Sequence, residues 1–282
     1  MKRDILKVAV NTVLSIILTL AVMLSIVAAT VVDFVIESDI VFEKLEQNGA
    51  YEDKIAQIAE EIKVLVVNSG VDGEFIERIL PPDDLVINAY NVSVGKLLGR
   101  NPAPVSTDEY KNDVISAFSE KALDHGITEK EDINEIAGVY WQDISEIFVR
   151  VTGFIGAGTI GAYVPSVVSA VETVLLPVVI LAVAVYLFMI ILNRRSGTFY
   201  SVIPFVSQSA FFGTAYLIFK SFVAKRNFDT VQLGLLSSAD AYLFYVLKIS
   251  LALLLGALLV FAINTTINLI IRGKRIGKEQ KI

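Results

Sequence analysis

Three strongly apolar stretches of this chain run for more than 20 positions without a charged residue: Asn11 to Val32, Thr173 to Asn193 and Ile249 to Ile271. Each approaches the roughly 20 apolar residues that carry a helix across a bilayer core. Thr198 to Phe219 is a fourth, less apolar candidate. With 54% hydrophobic and only 19% charged residues, the composition agrees with a membrane protein rather than a soluble one. The expected fold class is all-α: four transmembrane helices, with a helical-bundle extracytoplasmic domain inserted between the first and second.

Charge sets the orientation, because Lys and Arg gather on the cytoplasmic flanks of membrane helices. Lys2, Arg3 and Lys7 precede the first span, Arg194 and Arg195 separate the second from the third, and Arg272, Lys274, Arg275, Lys278 and Lys281 follow the fourth. Against these ten, the loop between the third and fourth spans holds Lys220, Lys225 and Arg226. Both termini are therefore expected in the cytoplasm, with residues from about 33 to 170 outside. The corresponding division is 1–32, cytoplasmic N-terminus and first span; 33–150, outer helical domain; 151–171, Gly-rich juxtamembrane segment; 172–272, three spans; 273–282, basic tail.

From Asp33 to Glu172 there are 26 Asp and Glu against 10 Lys and Arg, a balance of −16 that the overall −6 conceals. So acidic a domain repels nucleic acid and anionic lipid head groups, and neither is expected as its ligand. The basic "KSFVAKRNF" loop is the complement of that charge, and Lys225 and Arg226 are candidates for docking the domain's base. The chain has no cysteine, which removes disulfides, thiol nucleophiles and thiolate metal sites. A cleavage-like Val27-Ala28-Ala29 follows the first span, but 22 uncharged residues exceed the core of a signal peptide.

Between the first and second spans the spacing is helical throughout. "YEDKIAQIAEEIKVLVVNSG" puts Ile55, Ile58, Ala59, Ile62, Leu65 and Val66 on one stripe. Asp83 or Asp84 is placed to cap "LVINAYNVSVGKLLGR". Ser106 with Glu109, and Thr128 with Glu131, read as capping boxes opening helices over about 107–124 and 129–150. A bundle of four or five helices is expected there.

The segment Gly156-Ala157-Gly158-Thr159-Ile160-Gly161 matches the G-x-G-x-x-G of dinucleotide-binding folds. The position where an acidic ribose ligand is needed falls inside an apolar run, so the match is read as coincidence. Gly153, Ala157 and Gly161 are four apart and would instead form a small-residue face for close helix packing. Pro165 and Pro177 would then bend the path into the second span.

Few residues suggest chemistry. His125, the only histidine, sits at a helix end where a cation suits the dipole. "DHGITEKEDINE" has acids at the first and twelfth positions of a calcium loop but Glu129 where glycine is required. Tyr140 and Trp141 read as packing or membrane-interface aromatics. Asn91-Val92-Ser93 fits the glycosylation pattern. Within the spans Lys248 either snorkels or pairs with Glu172, and Gln208, Asn264 and Asn268 are placed to join helices. No cofactor and no metal are expected.

The stretch "VLSIILTLAVMLSIVAATVVDFVIESDIVFEKLEQNGAYEDKIAQIAEEI", followed by "NSGVDGEFIERILPPDDL", resembles an uncharacterised group of four-span membrane proteins from Gram-positive bacteria. The resemblance implies a helical extracytoplasmic domain and a bacterial plasma membrane. The function expected is that of a non-enzymatic envelope sensor, binding or scaffold protein acting through its outer domain. Its partners would be the lipid bilayer, another membrane or envelope protein, or a second copy in a homo-oligomer. The alternative is a transporter or channel component with a polar path near Glu172, Gln208 and Lys248.

Overall fold

In the computed structural model, the backbone is described for residues 2–33, 39–67, 73–127, 129–154, 156–193 and 199–279, and side chains for the same residues except 2–4 and 272–279. These residues form ten helices and no strand. They divide into two compact units. One comprises Met1–Ser38, Val167–Asn227 and Leu236–Ile282, the other Asp39–Ser166 and Phe228–Leu235.

The first unit holds four helices long and apolar enough to cross a membrane. They are α1 (Lys2–Thr30), the greater part of α8 (Ala157–Leu192), α9 (Phe199–Ala224) and most of α10 (Thr230–Glu279). Leu18, Val22 and Ile26 of α1, Met189 of α8, Phe205 and Phe212 of α9, and Val246 and Ala257 of α10 form a shared core. Leu20, Leu176, Ile191, Leu217 and Leu259 are among the many large apolar side chains left exposed. Such outward faces suit lipid, which replaces water around a spanning helix. The helices exceed the sequence-derived spans: α8 has 36 residues and α10 has 50. Pro165 and Pro177 both lie within α8, so neither ends it.

The second unit contains α2 (Ile40–Gln47), α3 (Ala50–Val67), α4 (Gly73–Ile79), α5 (Asp83–Leu97), α6 (Asp108–Asp124) and α7 (Lys130–Thr152), plus the first turns of α8 and α10. Its larger core takes the expected stripe of α3, with Ile58, Ile62 and Val66 fully buried. Phe75 of α4, Val114 and Phe118 of α6, and Ile144 and Phe148 of α7 pack against that stripe. A second core joins Val41 and Leu45 of α2, Tyr51 of α3, and Tyr90 and Val94 of α5.

Val231 and Leu235 of α10 pack on this second core. Asp229 starts α10 by accepting the Gln232 N–H at 2.7 Å, as an N-cap does. A Cβ on Gly234 would come within 2.8 Å of Leu45 Cδ2 and 3.0 Å of Leu45 Cα, so only glycine lets α10 lie this close to α2.

Several helix ends differ from the capping signals. Pro82, not Asp83 or Asp84, is the N-cap of α5, and both acids lie in its first turn, where they favour the dipole. Thr107 is the N-cap of α6, while the Ser106 hydroxyl accepts the Asp108 N–H at 3.3 Å in a local turn and so makes no capping box. Thr128 lies outside the described residues.

Candidate functional site

The end of α5 is a Schellman motif. The Gly99 N–H donates to Lys96 O at 3.0 Å and the Arg100 N–H to Gly95 O at 2.9 Å, with Gly99 at φ +75°. This turn sends Arg100 back across the start of α2. Its guanidinium lies 5.1 Å from the centre of the Phe42 ring and donates from Nη1 to Asp39 Oδ1 at 3.0 Å.

Two cavities share Phe42 of α2 and Asn91 of α5 in their linings. The larger, about 540 Å³, is bounded by Asp39, Glu43, Glu46, Tyr51 and Ile87. The smaller, about 390 Å³, is bounded by Asn88, Val92, Gly95, Arg100, Pro102 and Val105. Ile87, Asn88, Asn91, Val92 and Gly95 recur at helical spacing, so one face of α5 floors both cavities and they form one groove.

Tyr51 fixes the floor. Its hydroxyl donates to Asn91 Oδ1 at 2.8 Å, which directs the Asn91 amide N–H groups away from Tyr51. Burial raises the Tyr51 pKa, against the bond to Asn91 which lowers it, and the nearby Glu46 raises it further. The phenol therefore stays neutral and keeps donating. The groove has an acidic end at Glu43 and Glu46, an aromatic centre at Phe42, amides at Asn88 and Asn91, and a cation at Arg100. None of the residues lining these cavities is a nucleophile hydrogen-bonded to a base.

The other candidate residues lie elsewhere. Gly153 has extended backbone as the C-cap of α7, and α8 begins at Ala157, so Gly153, Ala157 and Gly161 do not share one helical face. Gly161 is nonetheless a point of closest approach. A Cβ there would stand 1.7 Å from Lys96 O, so the partner of this glycine is the last turn of α5. Gly158 has nothing within 4 Å, whereas Gly156 has φ +79°. These three glycines serve different purposes, and only the two at 156 and 161 are constrained.

Glu172 and Lys248 are both exposed, and no ion pair joins them among the described residues. Lys248 Nζ instead lies over the Phe244 ring, 4.4 Å from its centre. Gln208 is fully buried and donates from Nε2 to Ser250 Oγ at 3.1 Å, linking α9 to α10. Ser209 Oγ donates to Ser250 O at 3.2 Å beside it. Among the described residues no hydrogen bond or ion pair joins Gln208 to Glu172 or Lys248. Lys225 and Arg226 are exposed at the end of α9, with the Arg226 guanidinium 4.6 Å from the centre of the Phe222 ring.

Tyr140 stacks on Phe118 with centroids 4.3 Å apart, and Trp141 meets Tyr110 edge-on at 5.6 Å, so both pack the larger core. His125 is the C-cap of α6. Among the described residues no cluster of three metal-ligating side chains occurs.

Phe42, Tyr51, Asn88 and Arg100 carry no motif that marks them in the sequence, because the residues lining the groove are scattered from Asp39 to Val105. The available signal was local: Asn88 and Asn91 three apart on one helix, and an arginine directly after the Gly99 cap. No protein-family model, curated protein or solved structure matches this chain.

Proposed function

We propose that this is a non-enzymatic binding protein of a bacterial plasma membrane, anchored by its four spans and acting through the groove between α2 and α5. The spans hold the acidic helical unit on the outer side, with both termini in the cytoplasm, as the ten inner basic residues against three outer ones favour. The observation that carries the reading is the joining of two cavities into one groove lined by Phe42, Tyr51, Asn91 and Arg100. Sites of this kind use apolar or aromatic walls for contact area and a few placed polar groups for orientation. Gln208 is committed to Ser250, and Glu172 and Lys248 are exposed, so these positions favour binding over a polar transport path.

Two measurements test this. Single cysteines at positions 54, 111 and 278 of the cysteine-free chain report sidedness: an impermeant reagent on intact cells should label 54 and 111 but not 278. A photoreactive residue at position 88 should yield a discrete light-dependent adduct in those cells, whereas one at exposed Lys111 should not. Labelling at 278 overturns the orientation, and the absence of an adduct at 88 overturns the binding reading.

A further inference from the structure

We propose that the groove takes a short zwitterionic peptide, with its free carboxylate on Arg100 and its free amino group against Glu43 and Glu46. This assignment rests on the binding reading above and adds the ligand's chemical class.

Charge in the groove is polarised. Asp39, Glu43 and Glu46 stand on the wall of the larger cavity, with Asp39 at the end nearest Arg100, and Arg100 stands on that of the smaller. A purely anionic ligand meets the acidic wall, and a purely cationic one has no partner for Arg100. A molecule with both charges, correctly spaced, satisfies both ends.

Spacing limits its length. Asp39 lies beside Arg100, and Glu46 lies seven residues further on, which is about 10 Å of rise at the helical 1.5 Å per residue. An extended chain covers about 10 Å in three residues. The amino and carboxylate groups of an extended tripeptide therefore reach from one charged end to the other.

The middle of the groove suits a peptide backbone. Side-chain amides carry both donor and acceptor capacity, like the peptide groups they would face. Asn91 is already oriented by Tyr51, and Phe42 supplies an apolar platform between the two cavities.

A strap crosses this path. Asp39 is one of the partners of Arg100, and its side chain is 85% exposed against 29% for Arg100. An ion pair so open to water is weak. A peptide carboxylate that also accepts from the Asn91 amide displaces Asp39 from the guanidinium, so Asp39 is one built-in competitor for Arg100.

The test is calorimetric titration of the full-length chain in lipid nanodiscs with trialanine, its C-terminal amide, its N-acetyl form and free alanine. Trialanine should bind, and each of the other three should bind at least about tenfold more weakly. Asp39→Asn should tighten trialanine binding about two- to fivefold, the gain expected when a weak exposed pair is removed. Arg100→Gln should abolish binding and Arg100→Lys should retain part of it, with helical content checked for both.

A gain in affinity on losing Asp39 is expected from competition, not from a merely structural ion pair. Equal binding of the blocked peptides, or weaker binding by Asp39→Asn, overturns the proposal. If trialanine fails to bind while position 88 still gives its adduct, the ligand class is wrong and the binding reading stands. If both fail, both fall.

Discussion

Asn11 and Asn193, 182 positions apart, exchange two side-chain amide hydrogen bonds: Asn11 Nδ2 to Asn193 Oδ1 at 3.1 Å, and Asn193 Nδ2 to Asn11 Oδ1 at 2.8 Å. Both residues are fully buried. The pair ties α1 to the residue that follows α8. Away from water, an amide that loses its partner has few replacements, and interhelical bonds of this kind contribute about 0.6 to 2 kcal/mol.

Asn11→Leu and Asn193→Leu should each destabilise the detergent-solubilised protein by about 1 to 2 kcal/mol. The double variant should cost less than the sum, with a coupling of at least about 0.5 kcal/mol. Denaturant unfolding followed by circular dichroism measures all three, and strict additivity would show that the two amides do not act as a pair.

The glycines of the GAGTIG string should rank by geometry. A Cβ at position 161 meets the Lys96 carbonyl at 1.7 Å, a backbone atom that cannot swing aside, so α8 must move away from α5. Gly161→Ala should therefore lower the melting temperature most. Gly156→Ala, at φ +79°, should cost about 1 kcal/mol through backbone strain, and Gly158→Ala, facing open space, should cost nothing or help its helix. A dinucleotide site would make alanine at 158 the damaging change and would add stabilisation by the nucleotide.

What was legible in the sequence was what repeats locally. The Ile58, Ile62 and Val66 stripe and the apolar runs of the spans follow from spacing along single helices. The packing partner of Gly161 did not, because a small residue signals a close approach without naming what approaches. Nor did the membership of Val231 and Leu235 in the core of α2, α3 and α5, since that contact spans nearly 200 positions and is opened by Gly234. The groove was hidden for the same reason: its polar residues are ordinary surface types until α2 and α5 bring them together. Gly153 misled in the opposite sense, because its spacing from Ala157 has meaning only if one helix contains both.

Tyr90 and Tyr110 are both buried, yet their hydroxyls differ. Tyr110 donates to Ile79 O at 2.8 Å, satisfying one of the carbonyls left open at the end of α4. Tyr90 is 1% exposed, and its hydroxyl has no hydrogen-bond partner among the described residues. Tyr110→Phe should cost about 1 kcal/mol, whereas Tyr90→Phe should be neutral or stabilising because it deletes an unsatisfied polar atom. Thermal melts of the two variants compare them directly, and equal losses would contradict the difference in hydroxyl environment.

The same two phenols should set the alkaline limit of the helical unit. Burial raises the pKa of both above the ordinary value near 10, with the neighbouring Tyr51 and Asp229 adding to the effect at Tyr90. The folded state therefore holds these protons more tightly than the unfolded chain does. Their contribution to stability is fully present below about pH 10, where both states are protonated, and is lost as pH rises through the folded values. Stability of the unit should be insensitive to these groups up to about pH 9 and should fall above about pH 10. Trp141, the only tryptophan, lies 5.6 Å from the Tyr110 ring, so its fluorescence reports the unfolding. In Tyr90→Phe/Tyr110→Phe the decline above pH 10 should be shallower than in the parent protein, although lysine deprotonation continues in both. An identical alkaline profile for the two proteins would mean that the buried phenols do not set the limit.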